Sequence, residues 1–232
     1  MHPDAVGWLI RGGSLTAVST ARGSASGRRI RGLDAEQRRQ QRRDALLKAA
    51  LDLFASQGYL ATSIEQLCQH AYVGTKSFYE TFSSREECYA ALLARISDDV
   101  FGQLATLVEE HSGDDENALS ERLLSRFAHA FLDDPRFAAV SFGSGSAITP
   151  EADRQRRGTR RQAAAFIESL WQRYGEPVDE DHHGVAVGIV GGLFDILADH
   201  MYDQPADADV EALVVRLTNF YLATRRGMRA PS

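Results

Sequence analysis

The chain has little cysteine, little lysine and no long apolar run. Its two cysteines are too few for a disulfide framework and form no CxxC pair of the kind that binds zinc. The longest apolar stretch, residues 184–198, is shorter than the roughly 20 residues that span a bilayer, and it contains Asp195. The N-terminus, MHPDAVGWLI, lacks the basic start and apolar core of a secretory signal. These absences predict a cytoplasmic protein in a reducing compartment, without a membrane segment, a metal or another cofactor.

Composition places the chain among globular proteins, and its charge is unevenly distributed. Six prolines and 19 glycines exclude a collagen-like or low-complexity chain, and 44% apolar residues exclude disorder throughout. The net charge of −6 conceals an asymmetry, because residues 1–95 carry +4 and residues 96–232 carry −10. A basic end on an acidic body favours contact with a polyanion, although a solvated basic face gives the same pattern.

Three regions follow from composition and periodicity. Residues 1–33 are rich in Gly, Ser, Ala and Arg, and we predict a disordered basic arm, which is either an unstructured leader or a source of extra phosphate contacts. From Asp34 onward apolar residues recur at helical spacing and no stretch alternates as a strand, which predicts an all-α fold. We divide this part into a helix-turn-helix domain, 34–83, and a larger helical domain, 84–232.

Residues 62–82 have the pattern of a helix-turn-helix. A helix that Thr62 or Ser63 caps is followed by a three-residue turn containing Gly74 and by a short second helix. Apolar residues, Phe78 and Phe82 among them, recur on one face and pack the second helix against the rest of the domain. Its polar face is then exposed and can enter a major groove. That face consists of Thr75, Lys76, Ser77, Tyr79 and Thr81. The spacing alone is a moderate signal, because helical hairpins also occur in enzymes.

The residues around this motif resemble a known family. The run ALLKAALDLFASQGYLATSIEQLCQHAYVGTKSFYETFSSREECYAALL, within about residues 43–93, is similar to the DNA-binding domain of the TetR (tetracycline-repressor) family of bacterial transcription regulators. The resemblance implies base or phosphate contacts from the second helix, with Tyr79 on the DNA backbone. It implies further phosphate contacts from Thr62 and Arg85. Independently of the resemblance, the free N–H groups at the helix starts, Thr62 or Ser63 and Ser84, suit phosphate oxygens. Gly74 departs from the usual serine cap, so that either glycine itself or Thr75 serves as the cap, and Glu80-Thr81 departs from the usual aromatic-histidine pair.

The resemblance also implies a mechanism. Members of the family bind a near-palindromic operator as homodimers and release it when a small molecule enters the C-terminal domain. The rival interpretation is a helical enzyme or small-molecule-binding protein with an incidental hairpin, and it requires a catalytic or metal constellation. None stands out: His182 and His183 point to different sides of a helix, and Ser144 follows no strand. Cys68 and Cys88 lie on the apolar faces of helices. They are therefore either buried core residues or redox sensors.

Aromatic residues in the middle helices are candidates for an apolar ligand pocket or for plain core. The acidic body mildly favours a cationic or neutral ligand. The candidate lining residues are Phe101, Phe127, Phe131, Phe142, Phe166 and Trp171.

The last two predicted helices, about 182–202 and 207–226, are candidates for a dimer interface. The first contains four glycines, each of which costs roughly 1 kcal/mol relative to alanine inside a helix. Small residues there favour close approach of another helix, from a symmetry mate or from the same chain. The predicted interface comprises Gly188, Gly192, Leu193, Leu213, Leu217 and Phe220.

Overall fold

The computed structural model describes residues 34–142, 149–176, 178–203 and 209–229, and within these ranges the chain forms helices and no strand. The arm predicted over residues 1–33 lies outside the described residues. The predicted all-α fold is confirmed. In chain order the helices are α1 (Ala35–Gln57), α2 (Ile64–Ala71), α3 (Thr75–Tyr79), α4 (Arg85–Glu110), α5 (Glu116–Leu132), α6 (Pro135–Ser141), α7 (Pro150–Arg173), α8 (Glu180–Asp203) and α9 (Val210–Arg229).

Local signals set the ends of the first helices. α1 ends at Gly58, which has a φ of 85° and donates its N–H to the Phe54 carbonyl at 3.0 Å. α2 begins with a complete capping box, in which the Ser63 hydroxyl accepts from the Gln66 N–H and the Gln66 side chain accepts from the Ser63 N–H. With these ends, α2 packs against α1. The ring of Phe54, on α1, is completely buried and belongs to the core of the first three helices.

Tyr72, in the turn between α2 and α3, has an unusual backbone. It has a φ of 55° and a ψ of 39°, the left-handed conformation in which glycine normally ends a helix. Its side chain is 96% exposed, so no packing offsets the conformational cost. The turn is therefore locally strained at a position where the sequence shows no glycine.

Replacing Tyr72 with glycine should stabilise the protein. Tyr72→Gly relieves the left-handed strain, and after the extra chain entropy of glycine we expect the free energy of unfolding to rise by about 0.5–1 kcal/mol. Urea unfolding monitored by circular dichroism measures this change. Tyr72→Ala is the matched control, because it removes the same side chain and keeps the strain. An equal gain in both variants would contradict the explanation.

α4 joins the two ends of the fold. It starts at Ser84, whose hydroxyl accepts from the Glu87 N–H, and packs against α1 on one side and α5 and α7 on the other. From Ala35 onward the helices pack as one unit. The division into 34–83 and 84–232 is therefore one of role, and it stays a prediction.

α8 departs from the expectation that no segment is long and apolar enough to cross a membrane. Residues 180–201 are long and apolar enough by length and composition, and 33% of the apolar window is buried. Polar residues flank the run 184–198, and a helix of this length tolerates a few of them. The signal is weak, because core helices pass it too, and α8 packs on α7 and α9.

Candidate nucleic-acid interface and ligand cavity

The short helix α3 presents a polar face on a buried aromatic base. Phe78 is completely buried and its ring lies 5.8 Å from that of Phe82, which fixes the inner side of the helix. On the outer side Thr75 and Lys76 are exposed, and Tyr79 is 56% exposed with its ring edge-on to Phe78 at 5.5 Å. α3 thus offers a cation and hydroxyl groups to a partner.

Ser77, Thr81 and Ser63 are less available than these three. Ser77 is half-buried, and its carbonyl accepts a hydrogen bond from the Thr81 hydroxyl at 2.9 Å. The Ser63 hydroxyl caps α2, accepting from the Gln66 N–H at 3.2 Å. Gly74 begins α3 without a side-chain cap, so Thr75 does not replace the missing serine.

The predicted phosphate contact by the Thr62 side chain is wrong. Thr62 is completely buried; its hydroxyl donates to the Gly58 carbonyl at 2.8 Å and accepts from the Gln57 amide at 3.1 Å. Those two bonds close the loop between α1 and α2 and leave the side chain no path to a ligand. Ser63 alone is the side-chain cap.

Arg85 lies beside the start of α2. Its Nη1 donates to the Thr62 carbonyl at 2.5 Å, and its guanidinium lies 4.3 Å above the ring of Tyr59. The Tyr59 hydroxyl donates to Glu86 at 2.7 Å. This bond lowers the pKa of Glu86, and burial, followed by that bond, raises the pKa of Tyr59 to about 12. The network fixes a cation at the N-terminus of α2, where phosphate oxygens are favoured.

The structure adds Arg43 to the cations near α3. Its guanidinium lies 4.8 Å from the centre of the Phe82 ring, so α1 brings a positive charge to the segment that follows α3. The sequence signal was present in the run RRQQRRD, residues 38–44, whose arginine pairs are spaced four apart and therefore share a helix face.

A cavity of about 350 Å³ lies among the helices of the larger domain, with walls from α4, α5, α7 and α8. Its aromatic wall is continuous: the Phe127 ring lies 5.4 Å from Phe131 and 5.5 Å from Phe194, and Phe142 lies 5.4 Å from Phe131. Five of the six predicted lining residues are in its walls: Phe101, Phe127, Phe131, Phe142 and Phe166. The polar lining residues are Ser97, Ser120, Ser141, Arg156, Thr159, Arg160 and Tyr221.

Trp171 is not in these walls, so its predicted lining role is wrong. The indole is completely buried, donates to the Tyr221 hydroxyl at 3.0 Å and has the Arg225 guanidinium 5.0 Å from its ring. It therefore packs toward α9, and Tyr221 stands between it and the cavity.

Tyr89 on α4 connects the cavity to the first three helices. Its hydroxyl donates to the Val140 carbonyl at 2.6 Å and accepts from Nη2 of Arg156, a cavity residue, at 3.2 Å. Its ring lies 5.4 Å from that of Phe54 and 5.3 Å from that of Tyr59. One buried side chain thus touches the cavity wall and the core behind α2 and α3.

The predicted dimer residues divide into buried and open ones. Leu213 and Leu217 are completely buried and Leu193 is nearly so, and their predicted interface role is wrong because they form the chain's own core. Gly192 packs against Phe220: a Cβ there would come within 2.8 Å of Cε1 of that ring, so a side chain at this position would displace the Phe220 ring of the same chain.

The other glycines of α8 face open space. A Cβ at Gly184, Gly188 or Gly191 would meet no atom within 4 Å, and neighbouring Val187 is 47% exposed. The interface role of Gly188 stays a prediction.

The cysteines and histidines of the described ranges are not grouped with catalytic or metal-binding partners. Burial raises the pKa of the Cys88 thiol to about 12 and also raises that of Cys68, which disfavours the thiolate that redox chemistry needs. Across the described ranges, no three His, Cys, Asp or Glu side chains are grouped as metal ligands. Ser144 lies outside the described residues.

The chain matches proteins of known type. Residues 46–92 match the family model of bacterial regulatory proteins, tetR family. Over 136 residues the chain is 24% identical to an uncharacterized HTH-type transcriptional regulator, YuxN, of Bacillus subtilis (strain 168), covering 58% of this chain and 46% of that protein. Over 84 residues it is 34% identical to the HTH-type transcriptional repressor KstR2 of Rhodococcus jostii (strain RHA1), covering 36% and 40%. The match thus spans less than half the length of these curated relatives.

The fold is shared with solved structures. The fatty acid degradation regulator FadR from Bacillus halodurans superposes with a TM-score of 0.64 at 15% identity, covering 77% of this chain and 93% of that one. That likeness extends through the larger helical domain, beyond the range of the family model. The matching helix-turn-helix at residues 46–92 and the shared all-helical fold make the chain similar to the bacterial regulatory proteins of the tetR family.

Proposed function

We propose that the protein is a cytoplasmic transcriptional repressor that binds a near-palindromic operator as a dimer and releases it when a small molecule enters the cavity. The observation that carries DNA binding is the polar face of α3, fixed by the buried Phe78 and Phe82. Repression is supported by the relative KstR2, which is named a repressor.

The charges around α3 support a DNA backbone as the partner. Lys76 is exposed on the helix, and Arg43 and Arg85 are held by aromatic rings at its end and beside the start of α2. Glu80, which directly follows α3, is exposed, so it can turn to solvent. Positive charge on α3, just after it and at the start of α2 suits the phosphates that flank a major groove.

Selection of DNA by the purified protein tests this function. Fragments retained from a random pool should converge on an inverted repeat, and their affinity should fall steeply with salt because phosphate contacts release counterions. An enzyme or carrier with an incidental hairpin would enrich no sequence and retain no DNA at physiological salt.

A dimer compensates for the short length of α3, because it doubles the number of base pairs that the protein contacts. A helix of five residues reads few base pairs, whereas two heads related by a two-fold axis read half-sites in successive major grooves. The open glycine face of α8, with Gly184, Gly188 and Gly191, is the surface on which a second α8 can approach closely.

Leucine at Gly188 should separate the subunits without unfolding them. The side chain enters open space in the monomer and blocks the close approach of a partner helix, so we expect at least a tenfold rise in the dimer dissociation constant. Sedimentation equilibrium over a range of protein concentrations measures it.

Gly192→Leu is the contrasting control. It meets Phe220 of its own chain, so it should lower the free energy of unfolding by about 1–3 kcal/mol. If Gly188→Leu dimerises like the wild type, this face is not the interface. A wild-type monomer that still protects an inverted repeat would overturn the dimer itself.

The ligand switch rests on the contacts of Tyr89. A compound in the cavity that displaces Arg156 or the Val140 segment changes the contacts of the Tyr89 hydroxyl, and the ring of Tyr89 packs on the core that supports α2 and α3. Release requires only that the compound binds the conformation with weaker DNA affinity better, by a coupling of about 1–3 kcal/mol.

Tyr89→Phe should weaken this coupling. It keeps the ring contacts and removes the hydroxyl, so a compound that releases the wild type from its operator should release the variant less, while affinity without the compound changes little. DNA titrations with and without the compound measure the difference. Tyr174→Phe is the control, since it loses a comparable hydrogen bond, to the Asp114 carbonyl at 3.0 Å, and lies outside both the cavity lining and the α2–α3 region. Equal release from both variants would show that the Tyr89 hydroxyl plays no part.

A further inference from the structure

We propose that the cavity binds a small amphipathic anion, with its apolar part among the phenylalanines and its charged group at Arg156 and Arg160. This inference rests on the proposed function, because it specifies the chemical class of the compound that the cavity takes. Among the described lining residues these two arginines carry the only charges, and no carboxylate faces the cavity.

The two arginines are placed to act together. They are four residues apart on α7 and therefore project from one helix face. The side chain of Arg156 is 28% exposed and reaches inward to the Tyr89 hydroxyl, whereas Arg160 is exposed. One guanidinium thus lies in the wall and the other at the mouth, and an anion between them has donors on two sides.

Arg160 has no carboxylate partner among the described residues and is therefore available to an anion. Its guanidinium lies 6.0 Å from the centre of the Phe194 ring, and across the described residues no carboxylate forms an ion pair with it. Asp153 instead pairs with the two preceding arginines, because it lies 3.8 Å from Arg157 and 4.0 Å from Arg156. Arg160 is thus the lining arginine for which the described residues supply no carboxylate.

Hydroxyl groups complete the polar corner. Thr159 lies between the two arginines in sequence, and its hydroxyl is 3.0 Å from that of Ser97 on α4. Both line the cavity, and because the Ser97 hydroxyl donates to the Leu93 carbonyl at 2.9 Å, the Thr159 hydroxyl is the one that can turn to donate to an anionic oxygen. The opposite walls are aromatic and aliphatic, which suits an alkyl chain or ring in about 350 Å³.

The charge of the whole domain does not decide the ligand. The acidic body, −10 over residues 96–232, favours a cation at long range, but that field is screened within about 10 Å at 0.1 M salt. Contacts inside a poorly hydrated cavity are stronger than screened surface charges. Two arginines at the wall therefore outweigh distant carboxylates.

Three probes with one alkyl chain test the charge preference: decanoate, decanol and decylammonium. Calorimetric titration of the full-length protein should give the tightest binding for decanoate, about tenfold or more over decanol, and the weakest for decylammonium. In the double variant Arg156→Gln/Arg160→Gln decanoate should lose this advantage. Arg157→Gln/Arg161→Gln, which removes two arginines of α7 outside the cavity, should keep it.

Each outcome separates the inference from the proposed function. If decanol binds as tightly as decanoate, or none of the three binds, the anion preference is overturned. If decanoate binds with the expected preference but leaves the operator complex intact, the preference stands and release through this cavity fails. Should the double variant not fold, Arg160→Gln alone decides, since Arg160 is exposed and its loss leaves the core intact.

Discussion

Arg225→Met should lower the free energy of unfolding by about 3–5 kcal/mol, because it breaks a buried ion-pair cluster. The Arg225 side chain is 3% exposed; its Nε lies 2.6 Å from Glu116 and its Nη2 lies 2.9 Å from Glu176. The cluster ties α9 to α5 and to the segment after α7. Without the cation two mostly buried carboxylates face each other, and methionine restores the volume but not the charge.

A rescue experiment shows whether charge is the cause. Adding Glu116→Gln and Glu176→Gln to Arg225→Met removes the uncompensated carboxylates and should recover at least half of the loss, measured by urea unfolding. Arg226→Met, an exposed neighbour on α9, should change stability by less than about 0.5 kcal/mol. A loss below about 1 kcal/mol in Arg225→Met would mean that the cluster contributes little.

Helix ends could be predicted from the sequence because their causes are local. Gly58 supplies the left-handed end of α1, and Asp134 with Pro135 supplies the start of α6. The α2–α3 motif was predictable for the same reason, since its length, its turn and the buried Phe78 all lie within a few residues of one another.

The roles of apolar stripes could not be predicted in the same way. Helical spacing places Leu213, Leu217 and Trp171 on inward faces, but it does not say whether a face meets the same chain, a cavity or a second subunit. Gly192 illustrates the point, because a residue distant in sequence, Phe220, occupies the space beside it. The identity of the facing helix is tertiary information that a single stripe does not contain.

Hydrogen bonds that residue type alone does not reveal decided the remaining differences. The sequence places Thr62 at a phosphate-binding cap. In the structure its hydroxyl instead donates to the Gly58 carbonyl and accepts from the Gln57 amide. Arg156 reads as one of several surface arginines on α7, and only packing brings it to Tyr89 and to the cavity. Residue type indicated the available chemistry, and the fold selected which groups remain free for a ligand.

Lys76→Ala combined with Tyr79→Phe should weaken operator binding by about 1–3 kcal/mol for each lost contact, without loss of fold. Both side chains are exposed on α3, so the variant removes a charge and a hydroxyl and leaves Phe78 in place. Gel retardation on pool-selected DNA measures the affinity, and loss of the Lys76 contact should reduce the slope of log affinity against log salt by about one. The matched control is Lys48→Ala with Tyr72→Phe, which changes an exposed lysine and an exposed tyrosine outside α3 and should keep the affinity within a few-fold. Equal affinities of the two double variants at physiological salt would contradict the proposal that α3 binds the DNA bases.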